Sequence, residues 1–294
     1  MRIASRSQQA LVSHPPVGPI LGTSEKGVHT FVTGSGPDLV LIHGANGNLR
    51  DFTLGFAERL SSSYRVIAVD RPGLGHSKSM PDGQTSVHDQ ARQIRAALRE
   101  IGVQRPIVLG QSYGGAVALA WALQEEPAAL VLVSAATMPW PGSLDPWYRI
   151  TANPIGRHLI VPLASAFVPK SYMRRAVAGV FAPQAAPENY SEHLGTNLTL
   201  RYGSLSSTVQ QINGLRADVV QMQSHYPMLN LPVELVHGDA DTIVPLTIHA
   251  EPLAKLLPNA NLTVLQNVGH MPHHTHVEEV VNAIDRAALR AGLR

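Results

Sequence analysis

Six short apolar runs, most of them nearly uninterrupted and spread along the whole chain, constrain this sequence more than any other feature. They are "DLVLIHG" (38–44), "YRVIAVD" (64–70), "PIVLGQS" (106–112), "ALVLVSA" (129–135), "PVELVHGD" (232–239) and "NLTVLQNV" (261–268). A strand covered on one face alternates apolar with polar residues, whereas a strand buried on both faces reads as a continuous run. Helical patterns separate most of the runs. The chain is therefore expected to build βαβ units around a mostly parallel, doubly wound sheet, an α/β fold. In "TSVHDQARQIRAALREIG", Val87, Ala91, Ile94, Leu98 and Ile101 recur at helical spacing, with Ser86 placed to cap the start and Gly102 to end it. Upstream, "GVHTFVTGSGPDLVLIHG" predicts antiparallel strands entering the sheet.

One interval breaks the rhythm. Nearly a hundred residues separate "VLVSA" from "PVELVHG", where a crossover needs only about a dozen. The interval is rich in proline and holds several short helical patterns. Open α/β sheets bind ligands beyond the carboxyl ends of their strands, where this crossover must pass. Residues 136–230 are thus expected to form a helical cap on a core made of 25–135 and 231–294, with 1–24 as a partly ordered arm. No apolar run reaches the roughly eighteen residues of a membrane span, and residues 1–19 hold no secretory-type stretch. The expectation is a cytoplasmic chain without stable membrane insertion. With no Cys the chain has no thiol nucleophile and no disulfide. A net charge of +2 with no basic stripe gives no sign of a nucleic-acid partner.

The third run leads straight into Gly110-Gln111-Ser112-Tyr113-Gly114 and then into the helical pattern "AVALAWALQEE". This is G-x-S-x-G in strand–turn–helix context, the setting of a nucleophile elbow. Gly110, Gly114 and Gly115 keep the neighbours small, so the turn can lift the Ser112 hydroxyl off the sheet at a helix N-terminus, where developing negative charge is favoured. Neither dinucleotide spacing nor a P-loop lysine is present.

A serine hydroxyl needs a base. "VGHMPHHTHVEEV" offers four histidines in seven positions. His270 directly follows the last strand, on the loop where a base for Ser112 must sit. Thr275-His276-Val277-Glu278 reads as a capping box opening the final helix. His273, His274 and His276 are read as polar loop or pocket-rim residues. A helical metal pair of His270 and His274 is opposed by Pro272 between them, so neither metal nor cofactor is expected. For the acid that orients the imidazole, "HGDADTIVP" offers both Asp239 and Asp241.

With "LVLIHGANGN" following a strand, the chain resembles the α/β-hydrolase fold family from about residue 25 onward. The resemblance implies an oxyanion hole formed by the amides of Ala45 and Tyr113. It selects Asp241 as the acid, within Gly238-Asp239-Ala240-Asp241 and a short apolar stretch ending in Pro245, and leaves Asp239 as a turn former. "DRPGLGHS" (70–77) is a further segment of family type, read as structural with His76 near the pocket. The implied activity is metal-independent hydrolysis of a small, largely apolar ester through Ser112, Asp241 and His270. Lactone opening, carbon–carbon bond hydrolysis, perhydrolysis, or a ligand-receptor role with the same residues are the alternatives.

Asn46, Trp140, Trp147, Tyr148, Phe167, Met173, Phe181, Met222 and Met271 are candidates for the apolar pocket. "VPKSYMRRAVAGVF", with Lys170, Arg174 and Arg175, reads as a solvated basic helix face, with an interfacial, lipase-like surface as the alternative.

Overall fold

The computed structural model describes residues 2–81 and 84–294. At its centre is an eight-stranded sheet. Its strands are β1 (Ile20–Leu21), β2 (Val28–Thr33), β3 (Asp38–Ile42), β4 (Arg65–Val69), β5 (Ile107–Gln111), β6 (Ala129–Val133), β7 (Val233–Gly238) and β8 (Ala260–Leu265). Their spatial order is β1-β2-β4-β3-β5-β6-β7-β8. β2 runs antiparallel to β1 and β4, and the remaining pairs are parallel. All six apolar runs form strands.

The helices follow in chain order. α1 (Arg2–Ser13) precedes the sheet, and α2 (Phe56–Ser61), α3 (Val87–Leu98) and α4 (Tyr113–Gln124) lie between its early strands. The long interval carries α5 (Pro146–Thr151), α6 (Pro154–Phe167), α7 (Lys170–Phe181), α8 (Tyr190–Leu194), α9 (Thr196–Thr199) and α10 (Tyr202–Met222). α11 (Ala250–Leu256), α12 (Pro272–Thr275) and α13 (Val277–Arg290) complete the chain.

Period-two alternation divides each central strand between two cores. On β5, Val108 packs with Ala91 and Ile94 of α3 and Val117 of α4, while Ile107 and Leu109 pack with Phe56 and Leu60 of α2 and Ile284 of α13. Each buried Leu, Ile or Val contributes about 1.5–3 kcal/mol, so continuous apolar strands are what a sheet covered on both faces requires. Ser86 caps α3 by accepting from the Asp89 amide, and Gly102, at φ +80°, ends the following 3-10 turn.

The chain leaves β3 for β4 on one side and crosses back to β5 on the other. The carboxyl ends of β3 and β5 therefore flank a topological switch point, where a sheet of this kind opens a crevice. The α5–α10 insert reaches the loops at that end. Thr199 Oγ1 donates to Asn46 O at 2.8 Å, and Asn48 Nδ2 donates to Leu194 O at 2.8 Å.

Two local expectations are corrected. Residues 2–13 are a helix rather than a partly ordered arm: Ala10 is buried, and Arg6 donates to the carbonyls of Ser165 and Val168 at the end of α6. The stabilising partner lies in the insert, out of reach of local sequence reading. The capping box before α13 is also not formed. Thr275 Oγ1 donates to Met271 O, and Glu278 is held by Arg59, so no side chain caps the helix. Pro272 opens α12 instead of preventing a helix there, since a first-turn proline lacks only an N–H that would be unpaired anyway.

Candidate active site

The crevice is built by close backbone approach. A Cβ on Gly114 would lie 2.2 Å from Ile42 O, and one on Gly44 would lie 3.0 Å from Ser112 Cβ. Only glycine lets the β3 loop and the elbow after β5 come this near. Ser112 sits on the elbow at φ 53° and ψ −121°, a conformation that L side chains rarely adopt. Its backbone is pinned on both sides: the N–H donates to Val133 O, and the carbonyl accepts from the Gly115 and Ala136 amides. Ser112 is 8% exposed, at the N-terminus of α4. Among the described residues, its hydroxyl makes no hydrogen bond.

The loop after β3 is held from beneath by a buried arginine. Arg71, 1% exposed, donates to the carbonyls of His43 and Gly44 and to the side chains of Gln90 and Gln211. Its guanidinium stacks 4.1 Å from the Tyr113 ring centroid, and burial pushes its pKa down to about 10. The His43 ring accepts the Arg71 amide on Nε2, so Nδ1 carries the proton donated to Gly44 O at 2.9 Å. Burial, reinforced by the Arg71 charge, lowers the His43 pKa to about 4 and keeps the ring neutral. From above, Asn46 donates to Tyr148 Oη at 3.1 Å. Ala45 lies between these two sets of restraints, and its amide makes no backbone hydrogen bond among the described residues. Tyr113 is the first residue of α4, one of the positions whose N–H a helix leaves without an internal partner.

His270 follows β8, and its Nδ1 lies 2.7 Å from Asp241 Oδ2. The other Asp241 oxygen accepts the amides of Ile243 and Val244, both at 2.9 Å. His237 on β7 donates through Nε2 to Val244 O and comes within 3.4 Å of Asp241 Oδ2. Burial alone would raise the Asp241 pKa. Hydrogen bonds from His237 and His270, the His270 charge and the Val244 amide outweigh it and hold the carboxyl well below the usual range. Asp239 accepts the Asn267 amide at 2.6 Å, so its carboxylate ties the loop after β7 to the loop after β8 instead of closing its own turn. Gln111, one residue before Ser112, donates to His270 O at 3.3 Å and so brings the two loops together. No hydrogen bond joins Ser112 Oγ to the His270 ring.

The other histidines of "GHMPHHTH" are placed differently from the rim expected for them. The side chains of His273 and His274 are buried and converge on Asp51: His273 Nε2 is 3.2 Å from Oδ2, and His274 Nε2 is 2.9 Å from Oδ1. Tyr190 of α8 donates to the same Oδ1 at 2.6 Å. Burial would raise the Asp51 pKa, but the two imidazoles bring it well below the carboxylate range. The donor atoms of Asp51, His273 and His274 lie within 4.8 Å of one another, and both carboxylate oxygens are already engaged in these bonds. His276 keeps to the start of α13, its ring beside the Thr275 hydroxyl. His76 bonds the His14 carbonyl, fastening the segment after α1.

The pocket candidates scatter. Phe181 and Met271 pack with Tyr190 and Leu194 in a small core that joins α7 and α8 of the insert to the His270 loop. Trp147, Tyr148 and Met173 belong to a second small core within the insert. Trp140 stacks near His249 and lines an open cavity of about 480 Å³ with Leu144, Asn213, Arg216 and Val220. Met222, 1% exposed, is part of the large core on the α3/α4 face of the sheet. Phe167 does not line a pocket: it is 58% exposed, with Arg2 over its ring. It occupies the outer stripe of α6, which helical spacing alone could not distinguish from the inner one.

Sequence reasoning missed Arg71, His237, Asp51, Tyr190 and Gln184. Gln184 grips the His270 loop twice, accepting from the Gly269 amide at 2.9 Å and donating to Asn267 O at 2.6 Å. For Arg71 a signal existed, an arginine inside "DRPGLGHS" next to a strand end. Gln184 lies 83 and 85 residues from its partners, in a segment without local pattern.

The chain matches the family model for the alpha/beta hydrolase fold over residues 37–277. It is 30% identical over 257 residues to the pimeloyl-acyl-carrier-protein methyl ester esterase of Aeromonas salmonicida, covering 85% of this chain and 95% of that protein. It is 28% identical over 265 residues to the 2-hydroxymuconate semialdehyde hydrolase of Pseudomonas putida, covering 86% and 87% of the two chains. The structure of an esterase from Exiguobacterium antarcticum superposes with a TM-score of 0.75 at 20% identity, covering 92% of this chain and 99% of that one. At that identity the structural likeness speaks to the fold alone.

Proposed function

This chain belongs to the α/β-hydrolase fold family, and from that premise we propose that it is a metal-independent serine hydrolase acting on a small, largely apolar carboxylic ester. The observation that carries the reading is the strained Ser112 elbow at the switch point, facing a loop whose His270 is paired with a buried Asp241. Ser112 Oγ gives its proton to His270 Nε2 as it bonds the acyl carbon, and the carbonyl electron pair moves onto oxygen. The Ala45 and Tyr113 amides receive that oxyanion; a single donor of this kind is typically worth roughly 3–4 kcal/mol in the transition state. Collapse breaks the bond to the leaving oxygen, which takes the proton from His270. Water then attacks the acyl-serine, His270 accepts its proton and returns it to Ser112 Oγ, and the acid departs. Asp241 holds Nδ1–H and stabilises the imidazolium formed in each half. Residues 136–230 act as the cap that roofs this crevice and selects the acyl group.

The methyl ester esterase relative favours ester hydrolysis as the first reading. The semialdehyde hydrolase relative makes carbon–carbon bond hydrolysis the second. In the test, wild type should turn over p-nitrophenyl acyl esters repeatedly and be labelled by a fluorophosphonate probe, and Ser112→Ala should do neither. Full turnover by Ser112→Ala would reject the mechanism. A single slow turnover by wild type would point to a receptor.

A further inference from the structure

Helix α6 buries one side and leaves an apolar stripe on the other. Val161, Ser165 and Ala166 face inward, while Ile155, Leu159, Leu163 and Phe167, spaced by four, are 73, 62, 58 and 58% exposed. Ile150 just before the helix and Tyr172 just after it extend the same exposure, at 52 and 62%. Scattered apolar residues on a surface need no explanation, but a contiguous stripe this bare marks a docking face.

Charge identifies the occupant. Between Asp145 and Glu188 the sequence has no acidic residue, while it carries Arg149, Arg157, Lys170, Arg174 and Arg175, in a chain whose net charge is only +2. Arg149, Arg174 and Arg175 are exposed, on the helices flanking α6. α1 adds to the same region, with Arg2 over the Phe167 ring and Arg6 at the carbonyls of Ser165 and Val168. Two copies meeting stripe to stripe would set these cations against each other. An apolar stripe rimmed by cations, with no acidic residue between Asp145 at the head of α5 and Glu188, has the composition of a surface lying in the headgroup region of an anionic bilayer.

We propose that the α6 face, rimmed by α5, α7 and the start of α1, docks the protein on anionic lipid surfaces. The docking is peripheral, since no helix of the described residues is long and apolar enough to cross a membrane. It does not depend on the catalytic assignment. The stripe sits on the same insert that reaches over the crevice, so docking would hold the insert against the lipid.

Flotation of the full chain with extruded vesicles tests this. At low salt the protein should float with an equimolar mixture of phosphatidylcholine and phosphatidylglycerol, weakly with phosphatidylcholine alone, and less as salt is raised. Leu159→Asp combined with Leu163→Asp should abolish flotation. Arg174→Gln and Arg175→Gln should each weaken it about fivefold. All of these variants should keep wild-type circular dichroism and p-nitrophenyl acetate turnover. Ser112→Ala should float normally, so loss of activity with flotation intact separates this inference from the hydrolase reading. Absence of flotation would overturn the proposal. So would undiminished flotation of the double aspartate variant, equal flotation on both vesicle types, or a concentration-dependent dimer abolished by that variant without vesicle binding.

Discussion

Asp241 shows how one oxygen pair can fix a tautomer. Oδ1 is committed to two backbone amides and Oδ2 to His270 Nδ1, so neither oxygen is free to turn. In Asp241→Asn the carbonyl oxygen would stay with the amides, and the NH2 group would face Nδ1. The imidazole would then carry its proton on Nε2 and could not accept one from Ser112. Turnover should fall on the order of 10⁴-fold with little change in the midpoint of unfolding. A loss below tenfold in ester turnover would remove Asp241 from the proposed relay. The turn at Ser112, the loop after β3 and the loop of His270 were legible in the sequence as local geometry because glycines mark each of them: Gly110 and Gly114 around the elbow, Gly44 after β3, Gly269 before His270. Asp51 was not legible. Its partners His273, His274 and Tyr190 lie 139 to 223 residues away, and an aspartate in a loop carries no mark of what will surround it.

β3 to β7 were legible as elements because burial on both faces leaves a continuous apolar signature, whereas β8, at the sheet edge, is partly exposed and mixes polar with apolar residues. β7 holds the exception, Glu234, which is fully buried in a run otherwise apolar apart from His237. Its carboxylate is bound by Arg286 and Arg290 of α13 and by Asn261 of β8, tying a helix to the sheet edge. Glu234→Ala would remove the acceptor these groups share and open a cavity in a closed strand, at a cost of about 1–3 kcal/mol, since Arg286 and Arg290 are partly exposed and keep Thr263, Val233 and Asn259 as acceptors. Urea unfolding should report that drop; a change within experimental scatter would contradict the account. The helices of the insert were less legible than the strands. α6 is apolar on two sides, so period alone could not say which stripe faces in, and Phe167 went to the outer one. α1 read as an arm because the groups it bonds, Ser165 and Val168, lie more than 150 residues further along the chain.

At the scale of the molecule, the buried histidines set an acid limit. His43 and His249 are each lowered to about 4, by burial first, with the Arg71 charge adding to it at His43. In the unfolded chain both would bind a proton near 6.5. The native state therefore has its full share of stability above about 6.5 and loses it as pH falls toward 4, because unfolding takes up protons that the native protein refuses. Each such group is worth on the order of 3 kcal/mol across that window. The thermal midpoint should decline steadily from pH 7 to pH 5, and a constant midpoint over that range would show that these rings accept protons in place.

Gln184 joins the insert to the strip of chain on either side of residue 268, with one end of its amide on Gly269 and the other on Asn267. A motion that lifts this part of the insert to let a molecule in must also let go of the segment that presents His270. If the proposed hydrolase reading holds, admission and proton transfer would be two settings of one latch, with the serine idle for as long as the door stood open.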